Sequence, residues 1–257
     1  MMLQGDSIPD RMVISLKGKG ALYKGDLMML EMIANANWTR PIYVATTVGS
    51  ENYMNLGDNF VQEGLANRIT PFTTNINGQP VTGMKNFDTE KTFNNVMKYY
   101  KFGNVKQEGI YLDETVMRMC YTHRRLLAQL ALNLAEEHKP AKAAKVLALC
   151  EEELPATNVP HSIESGSLDI ARTYATIGNK GKAKDVMEQL WKKSTQYLQY
   201  YFSLSPSRLS GSQRECMLHI YVLEHLTQLA SQVDEKLGDE YSLRLDASLQ
   251  RPMPRNC

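Results

Sequence analysis

No apolar run in this chain reaches the roughly 18 to 20 residues needed to cross a bilayer. The best candidate, Leu126 to Ala135, is too short and carries Gln129 and Asn133. The opening stretch MMLQGDSIPDRM lacks the basic-then-apolar order of a signal peptide. The polypeptide as it stands is therefore expected to be soluble and not to insert into a membrane. An excess of one charge is missing too: 29 Lys and Arg against 28 Asp and Glu leave a formal net charge of +1. That balance gives no global attraction for nucleic acid, and no nucleic-acid partner is expected. Cysteine is scarce, with four residues at 120, 150, 216 and 257 and no C-x-x-C pair. Three of them fall in apolar helical patterns, where cysteine acts as a small hydrophobe, and Cys257 reads as a tail residue.

Catalytic motifs are absent as well. There is no G-x-G-x-x-G, P-loop, H-E-x-x-H or G-x-S-x-G in the chain. Among His123, His138, His161, His219 and His225 no pair has metal-ligand spacing, and His219 and His225 lie six apart, off a common helix face. The pairs Glu136-Glu137 and Glu151-Glu152-Glu153 sit near helix ends as charge decoration. No catalytic residue, metal set or cofactor is expected.

What is present is a globular composition, 43% hydrophobic over 257 residues, enough to bury a substantial core. The first hundred residues are mixed. Arg11 to Leu16 is a short β-prone run closed by the turn residues Lys17-Gly18-Lys19-Gly20. Leu27, Met28, Leu30 and Met32 recur at helical spacing from Lys24 to about Ala36. Ile42 to Val48 is rich in β-branched residues and stops at Gly49. Strand, helix and strand in that order suit a βαβ-like unit. Gly64 to Phe72 reads as a further strand, placed at an edge by Pro71, and Asn77-Gly78 as a turn. Asp88 can cap a helix whose stripe is Phe93, Val96, Met97 and Tyr100. Lys101 to Ile110 is loop-like, and Asp113 is the N-cap that opens the helical half.

The helical half is organised around Leu127 to Pro155, two amphipathic helices joined by a short polar break. Met119, Leu126, Leu127, Leu130, Ala131 and Leu134 share one face, and Ala143, Leu147, Cys150 and Leu154 share the face of the partner helix. This spacing resembles the 34-residue tetratricopeptide pattern, with its signature Trp, Gly and Tyr missing. A second copy follows, with Ile170, Ala171 and Tyr174, a break at Gly178 to Gly181, then Ala183, Met187 and Leu190. Its connection through Pro155 to Ser167 is about six residues longer than the standard repeat allows. After Tyr201 the stretch SLSPSRLSGS reads as a loop, and Ser212 with Glu215 as a capping box. A stripe of Cys216, Ile220, Leu223, Leu226, Ala230, Val233 and Leu237 follows, interrupted at Gly238, with a short final helix from Glu240 to Gln250 capping the stack. Pro252 and Pro254 then close the fold. The fold class is thus α+β, mostly α: a small mixed α/β segment over about 1–110, then a TPR-like helical-hairpin array over about 111–257.

Three strings carry a resemblance to a known family: Asn37-Trp38-Thr39-Arg40-Pro41-Ile42-Tyr43, Val48-Gly49-Ser50-Glu51-Asn52-Tyr53, and Tyr111-Leu112-Asp113-Glu114-Thr115 with Arg118-Met119-Cys120. Together, ahead of a TPR-like tail, they resemble the C-terminal part of bacterial multi-pass membrane proteins known as a domain of unknown function. The membrane region of those proteins is similar to protein O-mannosyltransferases. The resemblance implies an extracytoplasmic, periplasmic-side piece of an integral membrane protein, whose partner is the membrane domain upstream. It carries no catalytic residue onto this chain.

Candidate binding residues come from several places. Trp38 and Arg40 lie in the first of those strings. Glu51, Asn52 and Tyr53 offer an acid, an amide and an aromatic face beyond a strand end, suited to a polyol or sugar, although the plainer reading, in which the first two cap a turn while Tyr53 packs, is preferred. The aromatics Trp191, Tyr197, Tyr200, Tyr201 and Phe202 make either a carbohydrate platform or inter-repeat packing. Arg125 and Arg172 fall near groove-facing offsets, where they can receive a peptide carboxylate or an anionic sugar. The expected function is a non-catalytic scaffold or recognition domain of a membrane-bound glycosyltransferase-like protein, with a protein, peptide or glycan ligand. The alternatives are a free-standing carbohydrate-active enzyme with a site near Glu51 to Tyr53, and a simple TPR-type adaptor.

Overall fold

The computed structural model describes residues 11–76, 79–80 and 86–249. Expectations for the signal-peptide region, the Asn77-Gly78 turn, Pro252, Pro254 and Cys257 lie outside the described residues. The chain is mostly helical with a small antiparallel sheet, an α+β fold, and it divides into two compact units between Tyr100 and Lys101.

The first unit opens with an extended segment whose Met12 and Ile14 pack inward while Val13 points out. The β-prone run Arg11 to Leu16 is expected to be a strand, but none forms there, because β-prone residues can pack one face of a segment that finds no ladder partner. The segment is held instead by the Asn55 side-chain amide, which donates to the carbonyls of Ser15 and Lys17 at 2.7 and 3.1 Å. Helix α1 (Lys24–Ala36) ends at Asn37 and Trp38, both in the left-handed region, with φ of 46° and 57°. Strands β1 (Tyr43–Ala45), β2 (Phe60–Gln62) and β3 (Ala66–Ile69) pair antiparallel in the order β1-β3-β2. The βαβ expectation is therefore corrected: α1 precedes an antiparallel sheet, and the strand expected at an edge is its centre, finishing before Pro71. Asn75–Ile76 and Gln79–Pro80 form a further two-residue antiparallel pair, β4 and β5. Ile33, Val44, Met54, Leu56, Phe60 and Ile69 make the core.

The tight turn from β2 to β3 places Gly64 at φ 96°, with the Tyr100 hydroxyl where a Cβ would stand. Tyr100 closes the turn by accepting a hydrogen bond from the Leu65 N–H at 2.9 Å. Beside it Glu63 is buried. Its Oε1 accepts from Arg68 Nε at 2.6 Å, and its Oε2 from Tyr43 Oη at 2.6 Å and Lys91 Nζ at 2.6 Å. Lys91 stands on helix α2 (Thr89–Tyr99), capped by Asp88, whose side chain accepts from the Lys91 N–H. Val96 of the expected stripe is buried, but Met97 is exposed, and Thr92 takes the inward position.

The second unit is three helix pairs. Helices α3 (Glu114–Glu136) and α4 (Pro140–Glu153) pack together, as do α5 (Ser167–Thr176) and α6 (Lys180–Ser203), and α8 (Gln213–Val233) and α9 (Glu235–Leu249). Asp113 caps α3 and Asn179 caps α6, each accepting from the N–H three residues on. Pro140 starts α4, where its missing N–H costs nothing. Ala131, Ala143, Ala171 and Ala183 are wholly buried where helices cross closely. Cys120, Cys150 and Cys216 are buried free thiols.

Four details depart from expectation. Met119 is exposed, since α3 begins before its packing partners do. The stretch after Ser205 folds as a short helix α7 (Pro206–Gly211), begun by a proline at its first position. Ser212 makes no side-chain cap at the start of α8. The break after α8 falls at Asp234, not Gly238: the glycine lies inside α9, where a Cβ would meet Ser231 Cα at 2.8 Å.

Burial raises the Glu63 pKa, but hydrogen bonds from Lys91, Tyr43 and Arg68 outweigh it and hold the carboxyl below its ordinary range. A depressed carboxyl contributes stability above its unfolded pKa, lost as pH falls through the folded value. Glu63→Gln should destabilise the first unit by about 3 kcal/mol, because two cations lose a buried partner. It should also flatten the loss of stability below about pH 4. Urea unfolding followed by Trp38 fluorescence in a Trp191→Phe background measures both, and an unchanged acid limb would contradict the assignment.

Candidate functional site

Helix α3 carries a charged residue on its apolar face. Arg124 follows Cys120 by four and precedes Leu127 by three, so it points where Cys120, Leu127, Ala131 and Leu134 point, and it is 1% exposed. Its Nη2 donates to the Leu154 carbonyl at 2.5 Å and its Nη1 to the Pro160 carbonyl at 3.1 Å. Leu154 caps the C-terminus of α4, where carbonyls lack helical partners and the helix dipole is negative. The cation is thus met by dipoles. No described carboxylate pairs with it; the Cys150 side chain is its further hydrogen-bond neighbour, and its Nε has no partner. Burial lowers the Arg124 pKa, yet a guanidinium stays charged.

The charge shapes its neighbours. Burial pushes the Cys150 thiol up to about 11, so the sulfur is protonated and unreactive. Burial first, and the Arg124 charge second, hold His161 down to about 4. The neutral imidazole shares a hydrogen bond between Nδ1 and the Ser167 hydroxyl at 2.7 Å.

Above Arg124 lies a cavity of about 240 Å³ within the helical unit, walled by Leu147, Leu154, Ile170 and Val186. Glu151, His161, Lys182 and Asp185 bring polar atoms to it. Glu151 is already engaged, accepting from Tyr174 Oη at 2.5 Å and Lys182 Nζ at 3.0 Å. Burial, and then Glu151, raise the Tyr174 pKa, so its hydroxyl remains a donor. Apolar and polar walls thus share the cavity about evenly, and a concave site with convergent polar groups is a usual form of a ligand site.

At Gln189 this cavity meets a second, more open cleft of about 560 Å³, which includes Lys192, Gln196 and Gln199. Lys182, Asp185, Gln189, Lys192, Gln196 and Gln199 recur every three or four residues on one exposed face of α6. From 182 to 199 the face runs about 25 Å. Its middle is flanked by Arg244, which donates twice to Glu188 at 2.7 and 2.8 Å and lies over the rings of Trp191 and Tyr241 at 4.9 and 4.8 Å.

The residues expected from sequence fall elsewhere. Arg125 is exposed, one position past the residue that faces inward, and Arg172 pairs loosely with Asp169 at 3.5 Å; neither lines the two clefts. Glu51 and Asn52 are exposed on a single 3-10 turn and hydrogen-bond each other at 3.2 Å. Tyr53 packs edge-on against Phe60 and donates to the Val48 carbonyl. Trp38 packs against the core of the first unit, while Arg40 is exposed. The aromatic cluster divides: Trp191 is core, whereas Tyr197 and Tyr200 are surface residues gathered with Tyr201 around the buried His219. Arg124 was missed because a charge is ordinarily placed outside; extending the stripe of Leu127, Ala131 and Leu134 back by one turn reaches it.

A histidine with a depressed folded pKa loses stability as pH falls from its unfolded value near 6.5. The His161 ring resonances should therefore titrate near pH 4. Stability should drop between about pH 6.5 and 4, and a His161→Gln variant should lose less over that window. An NMR titration placing His161 near 6.5 would remove Arg124 and burial as the controlling influences.

Residues 1–91 match the profile of a family described as TMEM260-associated domain 2. No curated protein and no solved structure matches the chain. The resemblance thus lies in the first unit and stops short of the helical one that holds the clefts.

Proposed function

We propose that the chain is a non-catalytic recognition domain, and that its helical unit holds an extended peptide segment along the exposed face of α6. The observation that carries this reading is the continuous ladder from Lys182 to Gln199, joined at Gln189 to the cavity over Arg124. Glutamine side chains donate and accept, so they suit the alternating N–H and C=O groups of an extended backbone. About 25 Å accommodates seven or eight residues at roughly 3.3 Å each. The Arg124 charge, met by two carbonyls and the Cys150 side chain and by no described carboxylate, favours a carboxylate at the cavity end.

On this reading the helical pairs act as a TPR-type array, and the first unit joins the module to its parent. That parent is a membrane-embedded, glycosyltransferase-like protein with this domain outside the cytoplasm. The match of residues 1–91 to a family described as TMEM260-associated supports it. The domain would then present a protein acceptor or partner subunit to the membrane region.

An acetylated octapeptide ending in a free carboxylate, and its C-terminally amidated twin, test the groove. The free acid should shift the side-chain amides of Gln189, Gln196 and Gln199 and the ring of His161. It should bind about tenfold tighter than the amide. Gln196→Ala with Gln199→Ala should weaken both peptides. Equal binding of acid and amide would remove the role of the Arg124 end, and no binding by either would sink the peptide reading.

A further inference from the structure

We propose that the first unit carries a separate site for a tetrahedral oxyanion, a phosphate or a phosphate monoester, held by Arg40 and Arg68. The site is independent of the α6 groove. Its basis is a partly open cavity of about 120 Å³ between the end of the Trp38–Pro41 turn and the residues that leave β3. Trp38, Pro41, Pro71 and Phe72 wall it, and Arg40 and Arg68 are its two charged residues; among the lining residues there is no carboxylate.

The two arginines have hydrogen-bonding capacity left over. Arg68 is fixed by one nitrogen alone: Nε donates to the buried Glu63, and that carboxylate is held in turn by Tyr43 and Lys91. Nη1 and Nη2 of its guanidinium make no hydrogen bond among the described residues; Nη2 is closed to solvent, so a ligand in the cavity meets it only after the guanidinium shifts about its Nε contact. Arg40 makes no hydrogen bond or ion pair among the described residues. Of the two cations around Glu63 only Arg68 lines the cavity, and Arg40 is a second cation there with no carboxylate among the lining residues.

The geometry selects the ligand. A guanidinium end presents parallel N–H donors that match the oxygen spacing of phosphate, and a second guanidinium can meet another oxygen of the same group. The volume equals about four water molecules, which is the scale of a single oxyanion. Pre-organisation comes from below, because Glu63 fixes the Arg68 plane on the central strand before any ligand arrives. Lys91 is spoken for by Glu63 and Tyr43, so the open contacts belong to Arg40 and Arg68.

The test uses the full chain, titrated with sodium phosphate at constant ionic strength and followed by the Nε–Hε signals of arginine and the Trp38 indole. Saturable shifts are expected with phosphate, absent with chloride and acetate. Arg40→Gln should weaken phosphate binding by about tenfold or more, and Arg68→Lys, which keeps a charge for Glu63 but loses the fork, should weaken it similarly. Lys182→Glu, in the α6 groove, should leave it unchanged, which separates this proposal from the peptide reading. Phenyl phosphate binding more tightly than inorganic phosphate would support an ester whose body packs on Trp38 and Phe72, and equal binding would support the free anion. The proposal is overturned if chloride produces the same shifts, or if Arg40→Gln, folded by its amide spectrum, binds phosphate as the parent does.

Discussion

A positive charge that water cannot reach must be answered by oxygen atoms of the protein, and Arg124 is where this chain meets that demand. Removing a guanidinium from water costs several kcal/mol unless its donors are satisfied. The carbonyl of Leu154 at the end of α4 and the carbonyl of Pro160 in the following loop supply two acceptors. The requirement fixes the path of the chain between the first two helix pairs. The long connection from Pro155 to Gly166 cannot close as a minimal turn; it must pass the guanidinium before α5 can begin. Buried Ser162, Ser165 and Ser167 then bond one another along that path, and Asn158 donates to the carbonyls of Val105 and Gln107. The extra residues in the second repeat are therefore spent on satisfying one buried cation.

Most of the helical unit was legible because a helix with one buried face writes its period into the sequence. Leu127, Leu130, Ala131, Leu134, Ala143, Leu147 and Cys150 are all buried as their spacing implies. Asp113 and Asp88 were legible as caps because a short acidic side chain before a periodic run satisfies an otherwise orphaned N–H. The first unit was less legible. Alternation in Arg11 to Leu16 and in Ile42 to Val48 records which side chains face inward, and it is silent about partner and direction. Pairing is decided by the turn at Gly64, which brings β3 back between β1 and β2.

The candidate site was hidden for a different reason. Repeat register points to Arg125 and Arg172 because they fall near groove-facing offsets of the first helices. The residue that matters is Arg124, on the apolar face, and only the carbonyls opposite make that placement tolerable. A buried charge is a conflict at the level of one helix and a solution at the level of three segments. Conflicts of this kind are expected where a protein retains a site at some cost to its packing.

The two units handle surplus positive charge in opposite ways, and the difference bears on what each can bind. Arg124 is met by dipoles and sits beneath a cavity of mixed polar and apolar walls, so its field reaches a ligand mainly as a potential. It can bias the choice of ligand end without forming the contact itself. Arg68 is tied to a true carboxylate, yet through a single nitrogen, leaving the end of its fork as a geometric feature beside Arg40. A potential favours any negative end and suits a partner recognised chiefly along the amide ladder of α6. A fork favours one shape of anion and suits a small, defined group. The arrangement of acceptors around each arginine, more than its charge, therefore separates a broad recognition surface from a narrow one.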